Sequence, residues 1–113
     1  MQRDDATLLD ISRYAQQILD FSQGIDEAQL AADIRTQEAA LHHIAVIGEA
    51  VKRLSSDFRS QHPDIPQTDI AGMRDKVVHQ YDRVRFDVVW NTIQQDIPEL
   101  LRLITPLLPT SPP

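Results

Sequence analysis

Arg74, His79 and Tyr81 fall within one short segment, Arg74-Asp75-Lys76-Val77-Val78-His79-Gln80-Tyr81. It brings together a permanent cation, a group that titrates near neutrality and a phenol. An imidazole can take the proton of a ribose 2′-hydroxyl or deliver one to a leaving 5′-oxygen. A guanidinium can hold a phosphate through two donors and stabilise the charge that develops as the phosphodiester reacts. These groups are a sufficient kit for cutting RNA without a metal ion. Taken without context, an Arg and a His five residues apart on a helix are most often ordinary surface side chains.

Helical geometry adds a constraint. At about 100° per residue, Arg74 and His79 lie roughly 140° apart around one helix, whereas Arg74 and Tyr81 share a face within about 20°. A single straight helix does not aim Arg74 and His79 at one point. Either the helix bends or ends near His79, or a second copy of the chain completes the site across a two-fold axis, where one patch meets itself. Lys76 and Arg83 flank these residues as candidate substrate-binding cations.

Other chemistry-bearing residues are weaker candidates. His42 and His43 are adjacent and point about 100° apart, poor geometry for joint metal ligation, so one is expected to pack and one to be solvated. His62 reads as a helix-end residue. Glu49, among apolar neighbours in Ile47-Gly48-Glu49-Ala50, should pair with a cation, and Arg74 is the first choice. No Glu-x-x-His is present, so a di-metal carboxylate site is rejected. No metal ligands are assigned.

The elements that must position these residues read as helices throughout. Leu8, Ile11, Ala15, Ile18 and Leu19 recur at helical spacing, with Asp4 or Asp5 as a cap and Gly24 just past the end. The segment 26–32 is a short helix or the entry to the next one. A long helix is expected over about 33–60, with Ile34, Leu41, Ile44, Ala45, Gly48, Val51, Leu54 and Phe58 as its stripe. Gly48 there implies close approach of another helix. His62-Pro63 ends the run and Pro63-Asp64-Ile65-Pro66 is a rigid loop. A further helix begins near Thr68 or Asp69 with Ile70, Met73, Val77 and Tyr81 on one face, and residues 82–85 form a turn. The last helix starts near Phe86 and should kink near Gln94, because the ring of Pro98 crowds the carbonyl four residues back. Residues 106–113, with four prolines, read as a frayed tail. The expectation is an all-α up-down bundle of four to five helices, one domain over 1–105 and a Pro-rich tail over 106–113.

Composition supports this. The 113 residues suffice for one domain; 42 % are hydrophobic and only 5 % aromatic, so the core must be aliphatic. The absence of cysteine excludes disulfides, thiolate metal sites and a Cys nucleophile, and fits a reducing cytoplasm. The N-terminus is polar, with no signal-peptide apolar region, and no apolar run is long enough to span a bilayer. Net charge is −6, which weighs against coating a duplex. The distribution is uneven: residues 52–85 hold seven basic against five acidic side chains, and the remainder holds four against twelve. A mildly basic centre in an acidic chain can engage a phosphate locally.

Four blocks then fall in register: Ile47-Gly48-Glu49-Ala50, His62-Pro63-Asp64-Ile65-Pro66, Gly72-Met73-Arg74-Asp75 running into His79-x-Tyr81, and Val89-Trp90-Asn91-Thr92-Ile93. In this order the sequence resembles HepT-like proteins of the HEPN superfamily, over roughly residues 5–104. The resemblance implies a helical bundle that dimerises and a metal-independent ribonuclease whose Arg and His are Arg74 and His79, with Asp75 as the polar residue after the arginine. It also implies a partner, an MNT-type nucleotidyltransferase antitoxin that binds ATP and Mg²⁺ itself and transfers AMP to Tyr81. No cofactor is expected in this chain. Asp75 and Glu49 are supporting residues in this reading, and RNA is the substrate. Two positions depart from the pattern: Gln67 stands where tryptophan is common, and Arg85 where an acidic helix cap is common. Two other readings remain, a non-catalytic HEPN subunit that presents contacts to a nucleotidyltransferase, favoured by the acidic net charge, and a histidine phosphotransfer bundle, disfavoured by the Arg and Tyr that bracket His79.

Overall fold

A computed structural model describes residues 3–79 and 85–109, and of residues 74–79 the backbone alone. Among the described residues every regular element is helical: α1 (Arg3–Phe21), α2 (Glu27–Ala32), α3 (Ile34–Lys52), α4 (Ser56–Gln61), α5 (Gln67–His79), α6 (Phe86–Asn91) and α7 (Ile97–Ile104). A π-helical turn, Thr92–Asp96, joins α6 to α7, and a 3₁₀ turn, Thr105–Leu107, follows α7. Four columns therefore make the bundle, namely α1, α3, α5 and the α6–α7 rod. The short α2 and α4 sit in the connections. This is the all-α bundle that the periodicity predicts.

Central α3 packs against α5 on one side and α1 on the other, and α1 packs on α7. The seam is aliphatic. Leu8, Ile11 and Ile18 of α1, Ile44, Ile47 and Val51 of α3, and Ile93, Ile97, Leu100 and Ile104 are almost fully withdrawn from water. Each such side chain stabilises the fold by about 1.5–3 kcal/mol relative to exposure. Gly48 is buried within α3, as its place in the stripe implies.

Local chemistry sets the boundaries. Gly24 takes φ +77° just past α1, a region open to glycine. Asp26 closes a capping box with Gln29 at the start of α2, and Asp33 caps α3 by accepting from the Arg35 N–H.

Four expectations need correction. The run over 33–60 is two helices, not one. Ser55 caps α4 by accepting from the Phe58 N–H, and Asp4 accepts from the Ser55 backbone N–H at 2.9 Å and from its hydroxyl, so the chain breaks there. Asp4 is accordingly engaged with Ser55, where a cap of α1 was expected. Ile34, placed in the buried stripe, is 67 % exposed because it opens α3 at the surface. The segment after residue 105 does not simply fray: Leu107 and Leu108 pack against the core through the 3₁₀ turn, while 110–113 lie outside the described residues.

The distortion expected at Pro98 is present as the π turn. Val89, Ile93 and Ile97 are buried at successive four-residue steps. In an ideal α-helix two such steps overshoot the face by about 80°. Wider winding cancels that drift and accommodates a residue that has no N–H to offer.

Candidate active site

Helix α5 carries the segment in which chemistry was expected. Pro66 precedes it and accepts from the Ile70 N–H at 3.0 Å. Asp69 lies in its first turn, where a carboxylate suits the helix dipole. Buried Ile70 and Met73 anchor it to the core, and Arg74 follows Met73 by one step of about 100° around the helix. The α-helical backbone runs without interruption from Gln67 to His79. It places Arg74 and His79 on one rod about 7.5 Å apart along its axis and roughly 140° apart around it. No break among the described residues before His79 brings them together within one copy.

The side chains of Arg74, Asp75, Lys76 and His79 lie outside the described residues, as do Gln80 to Val84, including Tyr81 and Arg83. Glu49 is on α3, the helix that carries α5, and is half-exposed with its Oε1 3.8 Å from Lys52 Nζ. The expected pairing of Glu49 with Arg74 falls on a side chain that is not described.

The remaining histidines behave as structural groups. His42 is exposed and His43 half-buried. His43 Nδ1 lies 2.7 Å from the Ala39 carbonyl and so donates to it, while its Nε2 lies 2.9 Å from Gln17 Oε1. The rings of Tyr14 and Phe21 close over His43 at 5.2 and 5.1 Å. His62 ends α4 and lies 4.5 Å from the Phe58 ring. Among the described residues no three His, Asp or Glu are grouped to hold a metal ion.

Past residue 84, Arg85 stands at the cap of α6 and its side chain makes no capping bond to the helix backbone. Its guanidinium instead pairs with Asp87 at 2.6 Å, which holds the Asp87 carboxyl below the usual range through that hydrogen bond. Sequence reasoning passed over two cations near the start of α5. Lys52 ends α3 and Arg59 lies on α4, and both border the same groove as Gln67, Thr68 and Gly72. They had been counted in the basic centre, but their convergence depends on the break at Ser55.

An all-α bundle whose third long helix carries Arg-x4-His defines a HEPN-type protein. The family model described as Ribonuclease HepT-like matches residues 11–107, and the chain belongs to that HepT-like family. Two proteins of Methanocaldococcus jannaschii, each named a putative RNase, are 39 % and 38 % identical to it over 95 residues, covering 84 % of this chain and 82 % and 78 % of theirs. A protein of Thermococcus cleftensis named a probable ribonuclease HepT is 39 % identical over 93 residues, covering 82 % of this chain and 84 % of its own. No solved structure matches the chain. No helix among the described residues is long and apolar enough to cross a membrane.

Proposed function

We propose that this chain is a ribonuclease toxin that cuts RNA without a metal ion and is held in check by a nucleotidyltransferase. The family match over residues 11–107, with Arg74 and His79 on the helix that the core anchors, carries the reading. The 2′-hydroxyl oxygen attacks phosphorus and the bond to the 5′-oxygen breaks. This leaves a cyclic phosphate on one fragment and a 5′-hydroxyl on the other. One imidazole takes the 2′ proton and another supplies a proton to the leaving oxygen. Arg74 steadies the charge on the phosphoryl oxygens. A two-fold dimer supplies both imidazoles from His79 of the two copies and resolves the angular mismatch on one helix. Asp75 and Glu49 support this arrangement, and Lys76 and Arg83 hold the flanking strand.

In the same proposal Tyr81 is the regulatory handle. Its phenolic oxygen attacks the α-phosphorus of ATP bound with Mg²⁺ to the MNT-type partner, pyrophosphate leaves, and the phenol proton is lost. The added phosphodiester puts negative charge and bulk beside a site that must accept RNA phosphate.

The purified chain is expected to cleave RNA in the presence of a chelator, and His79→Ala to abolish cleavage. Unchanged activity in that variant, or activity that disappears with chelator, sinks the mechanism. The net charge of −6 favours one rival, a non-catalytic HEPN subunit that presents contacts to its partner. A chain that binds the nucleotidyltransferase but leaves RNA intact in every preparation would establish that rival.

A further inference from the structure

Between the end of α3, helix α4 and the first turns of α5 lies an open groove of about 560 Å³. Lys52 and Arg59 form one wall, and Arg59 Nη2 donates to the Lys52 carbonyl at 3.0 Å, which ties the two cations together. Gln67, Thr68 and Gly72 of α5 form the other. The first turn of this 13-residue helix presents its positive dipole end there.

Two observations mark the groove as built for a ligand. Gln67 is 9 % exposed, and its Oε1 has no hydrogen-bond partner. A buried acceptor left without a donor is a cost that a folded protein rarely carries without a use. Gly72 is helical, yet a methyl group added there would meet nothing within 4 Å. Packing does not demand a glycine at that place, whereas close approach of a ligand to the backbone does. The groove also leads toward the candidate active site. His79 is seven residues on from Gly72, on the same face of α5 within about 20° and about 10 Å farther along the axis.

We propose that this groove is a subsite for single-stranded RNA upstream or downstream of the cut, and that Gln67 is its ribose-reading residue. The inference rests on the reading of RNA as substrate. Lys52 and Arg59 neutralise one phosphodiester of the strand. The 2′-hydroxyl of the adjoining ribose donates to Gln67 Oε1, which is buried in the free chain and turns outward to meet it as the strand binds. DNA lacks that donor, so the groove separates RNA from DNA.

The test uses the full chain carrying His79→Ala, so that bound RNA stays whole. Fluorescence anisotropy compares a labelled single-stranded RNA with a DNA of the same sequence. Gln67→Leu is expected to weaken RNA binding about fivefold and to leave DNA binding unchanged. Gln67→Met, a second apolar replacement of different shape, should do the same and guards against a folding defect in the first. Arg59→Ala should weaken both strands alike and lower the slope of log affinity against log salt by about 0.7. Arg13→Ala, a loss of equal charge at an exposed arginine of α1, should do neither. An RNA-to-DNA ratio unchanged in both Gln67 variants overturns the proposal, as does an Arg13→Ala effect equal to that of Arg59→Ala. Cleavage by the native chain is scored separately. RNA cut in a His79-dependent way with an unchanged ratio removes the groove alone. RNA discriminated by the groove but never cut removes the ribonuclease reading alone.

Discussion

Asp4 joins two parts of the chain that are far apart in sequence. Its carboxylate accepts from both the backbone and the hydroxyl of Ser55, and Ser55 in turn caps α4, while Arg3 donates to the Arg53 carbonyl. The Ser55 hydroxyl, and then its N–H, hold the Asp4 carboxyl below its usual value of 3.8. A depressed folded value means that the charged form stabilises the fold above the unfolded pKa, and that this contribution is lost as the pH falls through the folded one. Asp4→Ala should therefore cost about 1 kcal/mol or less at neutral pH, because the group is half-exposed and screened. The gap from the native chain should close as the pH drops below about 4. Urea unfolding across that range measures it, and a gap that does not change with pH would assign the loss to something other than the carboxylate. Tyr81 offers a second experiment at this scale. Incubated with the partner nucleotidyltransferase, ATP and Mg²⁺, Tyr81→Phe should gain no AMP by intact mass yet still cut RNA; AMP added as readily as to the native chain would move the modification elsewhere.

At the scale of the element, α5 trades helix stability for open space. Gly72→Ala should raise the unfolding free energy by about 0.5–1 kcal/mol, since alanine favours the helix and its methyl meets nothing. The same change should slow RNA cleavage if the strand lies against that backbone. Thermal unfolding and a cleavage time course read the two effects independently, and a variant that is stabilised with undiminished cleavage would show the space to be idle. This helix and the prolines before it are legible in the sequence because each signal is local. Pro63 and Pro66 punctuate the chain, and Ile70 and Met73 repeat at helical spacing. The break at Ser55 is not legible, since apolar periodicity continues through Val51, Leu54 and Phe58, all of them buried. What interrupts the helix is a carboxylate about fifty residues upstream, and no local pattern reports it. The groove depends on that break, which is why Lys52 and Arg59 did not stand out. The distortion at Pro98 was legible in place but not in kind, because a π turn depends on where the core needs Val89, Ile93 and Ile97.

For the whole molecule, the uninterrupted α5 has a consequence for assembly. In the proposed mechanism Arg74 and His79, which diverge around one rod, meet across two copies of the chain. The native chain is expected to scatter light as a dimer at micromolar concentration. Native and His79→Ala chains allowed to exchange subunits should form mixed dimers with little activity, because the site needs an imidazole from each copy. A fully active monomer, or verified mixed dimers that keep half of the native activity or more, would refute a shared site.

Helix α1 finds one of its main packing surfaces on α7, near the other end of the chain. Ile97, Leu100 and Ile104 are nearly inaccessible to water only once that contact has formed. Translation proceeds from the N-terminus at about 5–20 residues per second, so α1 waits, with Leu8, Ile11 and Ile18 uncovered on that side, until residues 97–104 have been made and have left the ribosome. The bundle cannot close earlier. A polypeptide stalled before Ile97 exposes an apolar strip that proteases and chaperones recognise. The order in which the ribosome delivers the helices thus acts as a built-in delay between making this chain and giving it a folded, working form.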